Sequence, residues 1–160
     1  MRGLVATNPN NWAALFIRLA LGIVLFPHGA QKLLGWFGGY GYTGTMGFLT
    51  GQVHLPWILA FLVIIIEFFG ALFLVLGFLT RIAAFAIFVN FLGILYTSHL
   101  NNGFFMNWAV TPNKPEGFEY HILVLGIAIG LIISGGGKWS IDAILGRRPS
   151  HVHHSHAAVA

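Results

Sequence analysis

Pro56–Leu79, PWILAFLVIIIEFFGALFLVLGFL, decides the fold. Glu67 and a few small residues are all that interrupt its apolar character, and a helix of about 20 such residues crosses about 30 Å of hydrocarbon. Pro56 suits a first helical turn, where its missing N–H is no loss, and Trp57 suits the membrane interface. Three more runs approach the same length, at about Trp12–Leu34, Ile82–Leu100 and Phe118–Ser134. The reading is an all-α integral membrane protein, a four-transmembrane-helix bundle over residues 1–146 with a disordered, histidine-containing tail at 147–160. The first run is the least regular, because Arg18 interrupts it and Pro27, His28, Gln31 and Lys32 crowd its end. A cleaved signal peptide is the alternative for it, against which stand its length, its arginine and the lack of a clear small-x-small cleavage site.

Composition points the same way. Of 160 residues, 8% are charged, 57% apolar and 15% aromatic, with a mean hydropathy of +0.80. A soluble chain carries about 25% charge, so too little polar surface remains here to face water. The absence of cysteine removes disulfide scaffolds, thiolate metal sites and cysteine nucleophiles. The formal charge of +4 comes from eight Lys and Arg scattered singly, with no stripe to follow a phosphate backbone, which excludes nucleic acid as a partner.

The few positive charges predict the orientation. Arg2 and Arg18 lie at the amino end, Arg81 between the second and third runs, and Lys138, Arg147 and Arg148 after the fourth. These places share one side, so both termini are expected in the cytoplasm. Gly35–Gly51 (GWFGGYGYTGTMGFLTG) and Asn101–Gly117 (NNGFFMNWAVTPNKPEG) fall on the other side. The first reads as a glycine-rich loop or short re-entrant stretch against the helix ends, the second as an aromatic segment on the interface.

Polar residues inside the spans carry the functional signal. Ala83, Ala86, Asn90, Gly93 and Thr97 share one stripe of the third span, and Gly126, Gly130 and Ser134 one of the fourth; both read as helix-packing faces, with a homodimer face as the alternative. Glu67 is different, since an ionised carboxyl near the bilayer centre costs about 2.5 kcal/mol or more unless it is paired, protonated or wetted. Candidate partners end the first span, where His28, Gln31 and Lys32 stand at i, i+3 and i+4 on one polar face. The sharp expectation is a contact of His28 or Lys32 with Glu67. His99 and His121, at the ends of spans three and four, belong to the same leaflet as His28. Neutral imidazoles from separate helices are what a metal or haem would use, but no HxxxH or Glu-x-x-His pair occurs in any span, and no metal site is assigned.

Three patterns carry little. Gly39, Gly41 and Gly44 spell GxGxxG without the preceding strand or the following acidic residue that a dinucleotide needs. The tail histidines His151, His153, His154 and His156 read as a solvated segment rather than a metal site. Nothing has the spacing of a Ser-His-Asp set or of paired catalytic carboxylates.

The string RLALGIVLFPHGAQKLLGWFGG, the span holding Glu67 and the sequence GFLTR together resemble the DoxX family of small four-helix bacterial membrane proteins, over roughly Arg18 to Asp142. The resemblance implies a redox association, because the related DoxD protein is a subunit of a thiosulfate:quinone oxidoreductase and some DoxX proteins associate with oxidative-stress and thiol-handling partners. It transfers no catalytic residue. Glu67, His28 and Lys32 as candidate catalytic groups, and these three with Gln31, His99 and His121 as candidate cofactor-binding groups, come from the residues themselves. The leading functional reading is a redox-associated membrane subunit with a quinone pocket in the outer leaflet, taking electrons from a soluble or membrane oxidoreductase partner. A non-catalytic assembly factor and a small proton or solute pathway are the other two.

Overall fold

Asn11 starts the first helix by accepting the N–H of Ala14 at 3.0 Å, and Gly35 ends it in the left-handed region at φ 74, where a residue with a Cβ is strained. This helix, α1, runs Trp12–Leu34, with the bounds that the apolar run predicts. The computed structural model describes residue 3 and residues 5–146; Arg2, Arg147, Arg148 and the tail histidines lie outside the described residues. Five further helices follow: α2 (Gly41–Gly51), α3 (Trp57–Leu76), α4 (Thr80–Ile94), α5 (Glu119–Ser134) and the short α6 (Ile141–Leu145). The fold is all-helical, with no strand among the described residues.

Three of the helices are long and apolar enough to cross a membrane: Trp12–Leu34, Trp57–Leu76 and Thr80–Asn102. The third joins α4 to a wider π turn at Leu95–His99 and a 3-10 turn at Leu100–Asn102. The fourth expected span is the apolar α5, whose 16 residues rise about 24 Å, short of the roughly 30 Å hydrocarbon core.

Helix α1 packs on α3, α3 on α4, α4 on α5, and α5 returns to α1. Leu21, Leu25, Ala71, Leu74, Ile87, Phe91, Val124 and Leu131 fill the space between them. The opposite faces present Phe16, Ile23, Phe85, Leu123 and Ile133 to the outside, as expected of helices whose solvent is hydrocarbon. Helices α1 and α3 approach closely at Gly29, where an added Cβ would lie 2.5 Å from the Phe68 Cα. A glycine there lets the α1 backbone touch α3 beside Glu67.

Three sequence expectations change. Gly35–Gly51 is a 3-10 turn at Trp36–Gly38 followed by α2 rather than a loop, and it packs on α1 and α3 as a stretch folded against the helix ends would. Met46 is buried with Ala60 and Ile64, and Leu33, Leu49 and Phe61 pack around them, so tertiary burial holds helical a segment whose glycines weaken its propensity. The small-residue stripes are only partly packing faces. Ala83 and Asn90 are buried, but added Cβ atoms at Gly93 and Gly126 would meet nothing within 4 Å. Asn101–Gly117, read as an aromatic interface segment, keeps Phe104, Phe105 and Trp108 exposed and is tied down by its own polar groups: Asn107 accepts the Thr111 N–H and donates to the Thr111 and Lys114 carbonyls.

The third change concerns Arg18, which is not a charge at the membrane surface but is 1% exposed. Its guanidinium donates to the carbonyls of Leu74 (2.7 Å) and Val75 (2.6 Å) at the end of α3 and to that of Gly136 (3.0 Å). Helix ends leave such carbonyls without intrahelical partners, so an arginine fork from a neighbouring helix satisfies them and offsets its own burial. Nearby, Asp142 accepts the N–H groups of Leu79 and Thr80, each at 2.8 Å, and so caps α4 from α6. Gly77, at φ 66, lies between these two ion sites, where an added Cβ would come within 2.4 Å of the Ser140 Cβ.

Candidate functional site

At the opposite end of α1, Pro27 sits inside the helix and has no N–H for the Ile23 carbonyl. The helix continues, placing Lys32 one turn beyond His28. The contact at Gly29 sets the distance to α3, and Lys32 Nζ meets Glu67 Oε2 at 2.6 Å. Glu67 is buried while Lys32 is 29% exposed, so the lysine's stem lies along the protein and its ammonium reaches inward. The second carboxylate oxygen, Oε1, accepts from Asn90 Nδ2 at 3.4 Å. Glu67 is thus held from α1 and α4, which meets the requirement that a charge inside a membrane be paired.

The ion pair opens on a cleft of about 210 Å³. His28, Lys32, Glu67, His99 and His121 line it together with Tyr120, Phe91, Ile94, Met106 and Glu116. Five of the six residues singled out from sequence therefore meet in one place. The sixth, Gln31, turns away and donates to the Phe37 carbonyl at 3.2 Å. Of the two expected partners of Glu67, Lys32 makes the contact; the His28 ring instead faces Tyr120, with centroids 6.4 Å apart.

The histidines are arranged by the end of α4. The π turn at Leu95–His99 ends on His99, whose ring lies against that of His121 with centroids 4.2 Å apart. His99 Nδ1–H donates to the Glu116 carbonyl at 3.1 Å; in the neutral ring this leaves Nε2 as the acceptor. Among the described residues no three His, Asp or Glu side chains are grouped to hold a metal ion. The neighbouring acids serve the loop above the cleft: Glu119 accepts from Trp108 Nε1 at 2.6 Å and from the Met106 N–H at 3.1 Å, and Glu116 accepts the Asn107 N–H at 2.6 Å.

Two polar atoms of the cleft lining have no partner in the protein. His121 Nδ1 and Tyr120 Oη are both buried and make no hydrogen bond, where an unmet buried polar group costs about 1–3 kcal/mol. Tyr120 went unnoticed in the sequence because a tyrosine near the start of an apolar helix is an ordinary interface residue. Its place next to His121, one residue into α5, was the available signal. Asn90 was visible only as a packing residue; its bond to Glu67 needs the α3–α4 contact.

A family model described as DoxX matches residues 13–100, more than half of the chain. The chain belongs to the DoxX family. The matched part of this DoxX protein runs from the start of α1 to the turns after α4, and so includes Arg18, His28, Gln31, Lys32, Glu67, Asn90 and His99, while Tyr120 and His121 lie beyond it. The chain is also 27% identical over 128 residues, 80% of its own length and 83% of the relative's, to the Bacillus subtilis (strain 168) protein named "Putative oxidoreductase CatD". No solved structure matches the chain.

Proposed function

We propose that this DoxX protein is the membrane subunit of a quinone-linked redox system and that the cleft beside Lys32 and Glu67 receives the quinone headgroup. The observation that carries this reading is the pair of orphaned polar atoms, Tyr120 Oη and His121 Nδ1, in a cleft whose other polar groups come from an ion pair and two more histidines. A quinone is an apolar ring with two carbonyl acceptors. Tyr120 and Lys32 are donors for such oxygens, and Phe91, Ile94 and Met106 supply the apolar walls that ligand sites of this kind need. His28 and His99 are within the same lining to exchange a proton with the bound oxygen. Without cysteine the chain has no thiol to pass electrons, so a partner oxidoreductase supplies them. The name of the Bacillus relative agrees with that role.

In this reading the chain crosses the bacterial inner membrane four times, α5 being the fourth span, with both termini in the cytoplasm. Hydrogen bonds from Lys138 to Asn11 and from Asp142 to Gly77 support it by joining the chain ends and the α3–α4 turn on one side, away from Lys32 and His99. With Arg18 buried, the orientation rests on Arg2, Arg81, Lys138, Arg147 and Arg148.

Titration of the purified protein with a quinone and its quinol, followed by the fluorescence of its five tryptophans, tests the site. Saturable quenching by wild type that is lost in Tyr120→Phe and Glu67→Gln is expected. If neither ligand changes the signal, and partner proteins co-purify equally with both variants, an assembly role replaces this one.

A further inference from the structure

A second cavity, of about 290 Å³, is lined by Phe104, Trp108, Ile122 and Leu123, with Glu119 and Tyr120. Tyr120 lines both cavities, so a polar cleft and an apolar one adjoin the same residue. The second cavity also faces outward: Leu123 is 65% exposed and Ile122 47%, on the surface of a helix that packs on its neighbours through Val124, Ala128 and Leu131. Each cavity alone lies below the roughly 300–1,000 Å³ of ordinary small-molecule sites, whereas the two joined fall within that range.

We infer that the apolar cavity is a lipid-side vestibule for the isoprenoid tail of the quinone whose headgroup occupies the polar cleft. This rests on the quinone reading above and adds to it the route of access and the part of the ligand that decides selectivity. A quinone with a long tail dissolves in the bilayer core and reaches a protein from the side, so its site needs an opening toward hydrocarbon as well as polar groups within. The opening here lies between α5 and the Phe104–Trp108 segment. That segment is held in place by Glu119, which binds Trp108 Nε1 and the Met106 N–H, so the vestibule wall is built rather than incidental. Tyr120 has the position of the junction between ring and tail, since it lines both cavities and its buried hydroxyl is unpartnered.

The test compares a prenylated naphthoquinone with menadione, the same ring without the tail, on the full-length protein in lipid nanodiscs. Leu123→Trp and Ile122→Trp fill the vestibule from positions that already face lipid, so both are expected to fold. Each should raise the Kd of the prenylated ligand about tenfold or more and leave that of menadione within about twofold. A photoreactive group at the end of the prenyl tail should label Leu123, Trp108 or Phe104 in the wild-type protein, which gives a readout independent of the variants. Menadione binding with no tail-dependent loss, or with labelling elsewhere, overturns the vestibule and leaves the headgroup site standing. Loss of co-purified phospholipid in the variants with quinone affinity unchanged assigns the cavity to an acyl chain and likewise overturns it. Failure of wild type to bind either ligand overturns both readings together.

Discussion

The two ends of the α1–α3 contact both bury charge, and they do so in opposite ways. At one end Arg18 is surrounded by carbonyl acceptors at 2.6–3.0 Å from Leu74, Val75 and Gly136, and Asp142 by two backbone amides. At the other, Lys32 and Glu67 meet beside an open cleft, and the nearby Tyr120 Oη and His121 Nδ1 bond to nothing. Both charge sets are costly to bury. The charges of the first are satisfied by the ends of helices and the loop that must be held together, so their return is structural, although Thr80 Oγ1 beside them is also buried without a partner. At the second, the two unpartnered atoms line an open cleft, where something else can supply the missing bonds.

The comparison breaks most readily at Arg18. Arg18→Met keeps an apolar stem but leaves the carbonyls of Leu74, Val75 and Gly136 unpaired, and should lower the stability by about 3–5 kcal/mol in detergent unfolding, comparable to removing one partner of a buried pair. A loss under about 1 kcal/mol would show that water already serves those carbonyls. Gly29→Ala comes next, at about 1–3 kcal/mol, because the new methyl would press on the α3 backbone at Phe68. It should also separate Lys32 from Glu67 and weaken ligand binding, which links packing to the site; a variant with unchanged binding would uncouple them.

Smaller stability effects, with larger functional ones, are expected at the other end. Glu67→Gln retains an acceptor for Lys32 and a partner for Asn90, and Lys32 can turn to water, so about 1–2 kcal/mol of stability should be lost. Quinone affinity should fall at least about tenfold. Exchanging the charges, Lys32→Glu with Glu67→Lys, should recover part of the loss seen in each single variant, and absence of any recovery in the double-mutant cycle would argue against a direct contact. Tyr120→Phe is the smallest perturbation. The hydroxyl it removes has no partner, so stability should stay the same or rise by up to about 1 kcal/mol while quinone binding weakens. A clear loss of stability instead would mean that the hydroxyl is satisfied within the fold.

Much of this was legible in the chain. The extent of α1 was readable from its apolar run, and Asn11 and Gly35 mark its ends in space. Glu67 was identifiable as needing a partner, with His28 or Lys32 as the candidates, because each is costly where it stands; that Lys32 is the one needs the α1–α3 contact. Other features depended on neighbours far along the chain. Arg18 read as a surface charge because nothing in its own helix shows that Gly136 and the end of α3 surround it. The segment of α2 read as a loop or short re-entrant stretch because its glycines dominate its local propensity, and the burial of Met46 against Ala60 and Ile64 outweighs them. Tyr120 carried only its place beside His121 as a signal, because the lack of a partner for its hydroxyl depends on the packed helices around it.

Sequence alone therefore determined the solvent of this protein and its long helices, since 8% charge and long apolar runs broken by single polar residues leave a chain no stable surface in water. It also limited the site to a few ionisable residues, because each one placed in hydrocarbon needs a reason. Tertiary structure decided which of those charges are bound to the backbone and which face an opening. That distinction depends on whether the carbonyls, amides and side chains of other helices fill every direction around a charge, and no local stretch of sequence contains that information.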